Sequence, residues 1–232
     1  MLTPSIKKVT SAGAEQLVNY DYTDLAAGTG YETFYMGTCA YNLTSGGRLS
    51  NQKWYSDSIY SAKSFDTSGS NYQKAQTLNF EVQFNMPRTI KGALISAIPV
   101  AIYEQAAGAE YRQYTFLTVT HSGATATTLG STSGASYYSA GKNTNYIVDS
   151  HIIEVPQTHF KKGDYLKVQI DQWVRHTDPA GPLKSGLFAV GHDPMNRGGS
   201  DKEGVIIDFS SGAAFTGNTS TAFIQVPFKL DI

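Results

Sequence analysis

The segment TLNFEVQF, residues 77–84, decides the fold class of this 232-residue chain. Its apolar residues occupy every second position from Leu78 to Phe84, and polar residues separate them. A period of two is typical of a β-strand that buries one face and exposes the other. The segment therefore predicts one strand of a sheet that packs on a core.

The same alternation occurs in YLKVQIDQWV, residues 165–174, and in the C-terminal residues 224–232. Pro227 interrupts the second of these, and because proline lacks an N–H it predicts an edge or bulge position. Less regular apolar patterns predict further strands at 31–41, 90–103, 111–120, 145–155, 186–191 and 204–209. Turn-forming residues separate these strands at 44–51, 66–71, 161–164, 178–182 and 210–220.

Many short strands without intervening helices predict an all-β antiparallel sandwich or barrel. Residues 122–142 are rich in Gly, Ser, Thr and Ala, so we expect a long exposed loop or a solvent-facing hairpin there. Residues 1–30 precede the first strong strand and predict an extended N-terminal arm. Residues 31–232 then form a single domain.

Composition disfavours several classes of function. The chain has 18 basic and 19 acidic residues and a net charge of −1, so it is not expected to bind nucleic acid. Its single cysteine, Cys39, excludes an intrachain disulfide and a cysteine-based zinc site. No stretch approaches the length of a membrane span and no secretion leader is evident, so we expect no membrane partner and synthesis in a cytoplasm.

Motifs of catalysis are absent from the sequence. It has no G-x-S-x-G for a nucleophilic serine and no H-x-H pair for a cupin-type metal site. It also lacks an arrangement of paired carboxylates typical of glycosidases, a P-loop and a dinucleotide fingerprint. We therefore expect no catalytic residue, no cofactor and no enzymatic activity, with a β-sandwich hydrolase as the least favoured alternative.

The segment GHDPMNRGGSD, residues 191–201, concentrates polar and charged side chains. Asp193, Asn196 and Asp201, with His192 beside them, are candidate ligands for calcium, which accepts flexible loop geometry. Their spacing does not match a calcium-binding loop. A hydrogen-bonded structural turn is favoured instead, since Asp-Pro begins turns and Asn caps backbone amides.

Two segments resemble trimeric jelly rolls of the tumour-necrosis-factor and complement type. HFKKGDYLKVQID, residues 159–171, matches their turn at Gly163 and Asp164, which precedes an alternating strand. TAFIQVPFKLDI, residues 221–232, resembles their last strand. The resemblance implies a jelly roll that forms a homotrimer, with Phe223 to Phe228 as the threefold contact or, alternatively, as intrachain core.

The whole chain also resembles structural proteins of tailed bacteriophages, being strand-dense, nearly neutral, poor in cysteine and rich in Gly, Ser, Thr and Asn; FAVGHDPMNRGG, residues 188–199, adds to the likeness. This implies a capsid decoration (cement) protein on the virion exterior, assembled in the host cytoplasm, with the major capsid protein as partner. An exterior position agrees with an arm whose only cations are Lys7 and Lys8.

The alternative is a carbohydrate- or receptor-binding jelly roll of a virion fibre or adhesin, which would contact a host surface glycan. The aromatic residues of the first third of the chain, including Trp54 and Tyr55, favour such a contact surface. They are equally suited to filling the interior of a sheet.

Overall fold

The computed structural model describes residues 9–11, 14–16, 29–39, 46–67, 71–104, 110–140, 144–176, 184–197, 208–209, 212–213 and 218–229. The regular elements in these ranges are all β-strands, as the alternation predicts. In chain order they are β1 (Val9–Ser11), β2 (Ala14–Gln16), β3 (Thr29–Thr38), β4 (Gly47–Ser50), β5 (Tyr60–Thr67), β6 (Gln73–Gln83), β7 (Arg88–Glu104), β8 (Glu110–Ser122), β9 (Ala126–Ser133), β10 (Tyr137–Ala140), β11 (Thr144–Phe160), β12 (Tyr165–His176), β13 (Lys184–Gly191), β14 (Asp208–Phe209), β15 (Gly212–Ala213) and β16 (Phe223–Lys229). None of the described elements is a helix long and apolar enough to cross a membrane.

Eight of these strands form two four-stranded antiparallel sheets. Sheet 1 has the order β3-β16-β7-β11, and sheet 2 has the order β6-β12-β8-β9. Of these eight strands, the last, β16, lies beside the first, β3, in sheet 1. The chain crosses between the sheets after each of the others except β8, which forms a hairpin with β9 in sheet 2. This is the strand order of a jelly roll, so the predicted antiparallel β-sandwich is confirmed.

Further strands extend and join the two sheets. The C-terminal part of β7 pairs with β13, which in turn pairs with β5. The short strand β4 pairs antiparallel with β3 and meets β6 in a parallel bridge between Arg48 and Glu81. It therefore connects the two sheets along one side of the sandwich.

The core lies between the sheets and is built from alternate residues of each strand. On the central strand of sheet 2, Leu166, Val168 and Ile170 are fully buried, as the alternation predicts. From sheet 1, Leu94, Ile98 and other apolar residues belong to the same cluster. Each such side chain contributes about 1.5–3 kcal/mol to stability through its burial.

Pro227 occupies a bulge, which confirms one of its two predicted positions. β16 is an interior strand, but its pairing with β7 shifts register between Gln225 and Phe228. On β7, opposite this register shift, Gly92 adopts a φ of +115°, a conformation that favours glycine. The ladder is interrupted where Pro227 has no N–H to donate, so proline is accommodated without losing a hydrogen bond.

Of the two alternatives for residues 122–142, the long exposed loop is wrong, whereas the solvent-facing hairpin agrees with β9, which forms a largely exposed hairpin with β8. Residues 126–133 form β9 and residues 137–140 form β10, and both pair with β8 along the same edge of sheet 2. Small polar residues are tolerated in β9 and β10 because both strands lie at the edge of the sheet, where one side faces outward.

The division into an arm at 1–30 and a domain at 31–232 stays a prediction. Within the arm, β1 and β2 pair as a short antiparallel hairpin, and β3 already begins at Thr29. Of the strand predicted at 204–209, Asp208 and Phe209 form β14 and pair with β15, and the rest lies outside the described residues.

We predict that Gly47→Ala destabilises the fold through the contact of β4 with β6. An added methyl would overlap the backbone oxygen of Asn79 and lie 2.7 Å from the ring of Phe80. Overpacking of this kind costs about 1–3 kcal/mol, measured by chemical denaturation. Gly46→Ala is the matched control, since nothing lies within 4 Å of its added methyl and only φ of +73° is unfavourable. An equal or smaller loss for Gly47→Ala would contradict the packing of β4 on β6.

Candidate functional site

The loop after β13 joins three separate parts of the chain. The backbone amide of His192 donates to the carbonyl of Ile59 at 3.0 Å, and that of Asp193 donates to the carbonyl of Ser220 at 2.9 Å. Both residues are fully buried. The loop therefore fixes the segments before β5 and before β16 against the end of β13.

Asp193 is surrounded by donors from its own turn. Its carboxylate accepts from the backbone amide of Arg197 at 2.7 Å and from the Nε of Arg197 at 3.0 Å. The backbone amide of Met195 donates to the other oxygen at 3.3 Å. The Arg197 guanidinium also donates to the carbonyl of Ser56. The buried negative charge is thus compensated by a cation and by amides, as a structural ion pair requires.

The side chain of Asn196 binds the segment that precedes β16. Its side-chain oxygen accepts from the backbone amide of Ser220 at 2.7 Å and from the hydroxyl of Thr219 at 3.0 Å. Its φ of +59° is left-handed, which asparagine tolerates better than most residues. The structure thus brings Asp193 and Asn196 into one turn, with their oxygens directed at protein donors. Asp201 lies outside the described residues.

This arrangement favours the structural turn over a calcium site. The described residues contain no group of three or more His, Cys, Asp or Glu side chains that could hold a metal ion. Sequence reasoning found the turn but not its partners Ser56 and Ser220, because both are distant along the chain and carry no motif.

His192 is a buried neutral imidazole. Its Nε2 lies 2.9 Å from the hydroxyl of Ser61, and Phe80 packs against the ring with centroids 5.9 Å apart. Removal from water lowers the pKa of His192 from 6.5 to about 4, since burial penalises the charged form.

A second polar cluster, not predicted from the sequence, lies in the core between β8 and β11. Thr115 donates its hydroxyl to the Asp149 carboxylate and lies 2.8 Å from Nε2 of His151. Tyr137 donates to the other Asp149 oxygen at 3.3 Å. Thr115, Asp149 and His151 are at most 2% exposed.

These residue types recur in nucleophilic enzymes, but their geometry differs from a catalytic triad. Asp149 lies 3.3 Å from Nε2 of His151, the same nitrogen that faces Thr115, instead of orienting Nδ1. The cluster acts as a polar tie that fixes which face of β11 points inward. The spacing of Asp149 and His151 could have signalled a shared face, but apolar residues on both faces of β11 hide which one is buried.

The inward position of this cluster reverses the usual polarity of β11 locally, from Val148 to Ile152, whereas Ile153 and Val155 lie in the core and Glu154 is exposed. Val148 and Ile152 point outward from sheet 1 and are 36% and 65% exposed. Ile152 pairs with Ile95 of β7, which pairs with Gln225 of β16. We call a set of cross-strand partners on one face of the sheet a row. The next row on this outer face contains Ser150 of β11, Ala97 of β7, Phe223 of β16 and Tyr35 of β3. We call this surface, without a charged residue in these two rows, the neutral face.

The outer face of sheet 2 has a different chemistry. Trp173 of β12 pairs with Tyr114 of β8, and the two rings are nearly parallel at 4° with centroids 6.2 Å apart. Tyr72 meets Tyr114 edge-on at 4.8 Å. The Lys74 ammonium lies 5.5 Å from the Trp173 ring, and the Arg175 guanidinium lies 4.8 Å from the Tyr72 ring. We call these five residues, with Arg112 beside Arg175, the aromatic–cation face.

The aromatic residues of the first third of the chain do not form one surface. Trp54 lies against Gly37, whereas Tyr55 is 66% exposed with the Arg197 guanidinium 5.4 Å from its ring. Tyr72 belongs instead to the aromatic–cation face. Some of these aromatic residues therefore pack inside the protein and others lie at its surface, so each of the two interpretations holds for part of them.

No protein-family model matches the chain, and no curated protein matches it. Solved structures similar to it include an α-amino acid ester hydrolase, with a TM-score of 0.47, 11% identity, and coverage of 85% of this chain and 36% of that one. A CocE/NonD family hydrolase from Staphylococcus aureus has a TM-score of 0.45 and 10% identity, with coverage of 86% and 37%. The VP2 subviral particle of infectious bursal disease virus has a TM-score of 0.33 and 10% identity, with coverage of 98% and 42%.

The chain thus spans well under half the length of these structures, which include both enzymes and viral capsid proteins. The expectation that the chain is not an enzyme is contradicted, because hydrolases are among the similar structures, and we withdraw it. At identities of 10% and 11%, the similarity to these structures transfers no activity to this chain.

We predict that Asp193→Ala lowers the free energy of unfolding by about 2–3 kcal/mol, because it leaves buried amides and the Arg197 guanidinium without their acceptor. Asp193→Asn keeps one acceptor oxygen and should lose less. A chelator should leave the melting temperature of the wild-type protein unchanged. A drop in melting temperature with chelator, reversed by calcium, would contradict the structural turn.

His192 should make stability depend on pH. Between pH 6.5 and 4 the unfolded chain binds a proton at this imidazole and the folded chain does not, so stability falls as the pH drops through this window. The loss from this group approaches about 3 kcal/mol at pH 4. His192→Gln should flatten the dependence in denaturant titrations, whereas His159→Gln, at an exposed position, should retain it. An unchanged pH slope in His192→Gln would contradict a buried neutral imidazole.

Proposed function

We propose that this chain is a structural protein of a virus particle, a jelly-roll capsid decoration protein that assembles as a homotrimer on the exterior of a tailed-bacteriophage shell. The observation that carries the proposal is the local exposure of apolar side chains on β11. Val148 and Ile152 point outward while Asp149 and His151 point inward. A stretch of strand that buries polar groups and exposes apolar ones is suited to a partner that covers its outer face.

The neutral face has the properties of a subunit contact. Its two rows extend across β11, β7, β16 and β3 and contain no charged strand residue. Charges lie only at its margins, where the Lys53 ammonium is 5.3 Å from the Tyr35 ring and Glu154 is exposed in the adjoining row. Closed cyclic symmetry buries such a face on every subunit without leaving a copy exposed. The resemblance to trimeric jelly rolls supports three copies.

The terminal strand contributes to this contact with half of its residues. Phe223 and Gln225 lie on the neutral face, whereas Ile224 and Val226 are fully buried in the core. Ile224, Val226 and Phe228 therefore belong to the intrachain core, and we propose Phe223 and Gln225 for the threefold contact. Major capsid protein is the partner we propose for the trimer, since a shell presents repeated sites to a symmetric ring.

A carbohydrate- or receptor-binding module is the second candidate. The aromatic–cation face favours it, because tyrosine, tryptophan and arginine are the side chains enriched in recognition surfaces. The two candidates use opposite sides of the sandwich and are compatible in one molecule.

We predict that the purified protein sediments as three copies of its 25.1 kDa chain and that Ile152→Lys shifts it to monomer. A lysine there would place a charge in the middle of the neutral face, where it would be desolvated without a partner. Asn79→Lys, at an exposed position on the outer face of sheet 2, is the matched control and should remain trimeric. Persistence of a wild-type monomer at high micromolar concentration would count against the trimer.

Attachment to a shell is tested separately. The wild-type protein and Asn79→Lys should sediment with shells assembled from a capsid protein encoded beside this chain, and Ile152→Lys should remain in the supernatant. Failure of the wild-type protein to sediment with these shells would overturn the decoration role.

A further inference from the structure

We infer that the sandwich binds one water molecule in its interior, where the water joins Oγ of Ser96 on β7 to Nδ1 of His151 on β11. This internal site goes beyond the structural role proposed above and does not depend on it. It lies on the inner face of sheet 1, whereas the neutral face lies on the outer one.

Two neighbouring side chains of the inner face each carry a polar atom that needs a partner. Ser96 and His151 are direct cross-strand partners, and they are 0% and 2% exposed. Neither Oγ of Ser96 nor Nδ1 of His151 has a hydrogen-bond partner among the described residues. Directly paired residues hold their Cβ atoms about 4.5–5.5 Å apart, so one small molecule can reach both atoms. In native proteins an ordered water commonly supplies such a missing bond, because a buried polar atom without one is costly.

The contact with Thr115 fixes the direction in which the His151 ring presents Nδ1. Nε2 of His151 lies 2.8 Å from the Thr115 hydroxyl, so turning the ring over would break this hydrogen bond. The Thr115 hydroxyl donates its hydrogen to Asp149, so its oxygen accepts from Nε2 and Nε2 carries a hydrogen. In the neutral ring, Nδ1 is then an acceptor that needs a donor. A water molecule provides the donor and can also bond to the Ser96 hydroxyl in either direction.

The size of Ser96 suits a water molecule beside it. Leu94 and Ile98, the inward residues on either side of Ser96 along β7, are fully buried in the core. Serine is smaller than leucine or isoleucine by about two heavy atoms, which is roughly the room that one water molecule needs. Ile224, the partner of Ser96 on β16, is also fully buried, so the site lies away from the surface. Because protein interiors are close-packed, the water fills space that apolar side chains fill elsewhere on the strand.

A direct hydrogen bond between Ser96 and His151 is the competing arrangement. It would satisfy both atoms without a third molecule, but it would leave the space beside the serine unfilled. The water is favoured because the two side chains form no hydrogen bond with each other although they are cross-strand partners. Through the water, β7 is joined to the cluster that connects β8 to β11.

The first experiment is a crystal structure of the full-length protein at a resolution that shows ordered water. We expect a water peak about 2.7–3.2 Å from both Oγ of Ser96 and Nδ1 of His151. The inference would be overturned by the lack of a peak, by a peak that contacts only one of the two atoms, or by direct contact between them.

The second experiment counts internal water molecules in solution, by magnetic relaxation dispersion of the solvent oxygen nucleus. Ser96→Val replaces the hydroxyl with methyl groups that occupy the site, so this variant should hold one long-lived water fewer than the wild-type protein. An equal count in the two proteins would overturn the inference. If Ser96→Val fails to fold, the crystal structure of the wild-type protein remains a complete test.

Ser131→Val is the matched control, because it makes the same substitution at an exposed position of β9. Its water count should equal that of the wild-type protein, and a loss as large as that in Ser96→Val would overturn the inference. Ile152→Lys should also keep the water, because its side chain is on the outer face. A failure of the trimer is therefore distinguishable from a failure of this inference.

Discussion

The hydrogen bonds that Asp149 and His151 make with Thr115 in the core are the constraint on which the functional surfaces depend. Side chains of a strand alternate between its faces, so fixing one residue inward fixes every other residue of that strand. With Asp149 and His151 held inside, Val148 and Ile152 must point outward. The neutral face follows from a polar cluster on the opposite side of the same strand.

The sandwich thereby acquires two outer faces of unlike chemistry. Sheet 1 presents the neutral face, on which Ile152 is 65% exposed, and sheet 2 presents aromatic rings with cations beside them. Because the two sheets lie back to back, a partner on one face leaves the other accessible. The loop at Asp193 stabilises the sandwich without contributing to either face.

Sequence reasoning predicted the strands whose alternation is regular, such as β6 and β12, because burial of one face leaves a period-two pattern. It left β9 and β10 undecided between a loop and a hairpin, since edge strands of small polar residues have no such pattern. It found Asp193 and Asn196 but not Thr115, Asp149 and His151, whose contact joins β8 to β11 across 34 and 36 positions of sequence. It also excluded catalysis on the absence of motifs, an argument that the similarity to hydrolase structures overturned.

Hydroxyl-radical footprinting with mass spectrometry tests the central claim most directly, because it reports the solvent access of individual side chains. The protein would be labelled as dilute subunits and in its assembled form. The account predicts that Val148 and Ile152 lose most of their labelling on assembly, while Trp173 and Tyr114 keep theirs. Protection of Trp173 and Tyr114 with continued labelling of Ile152 would contradict it, since the aromatic–cation face would then be the surface that assembly covers.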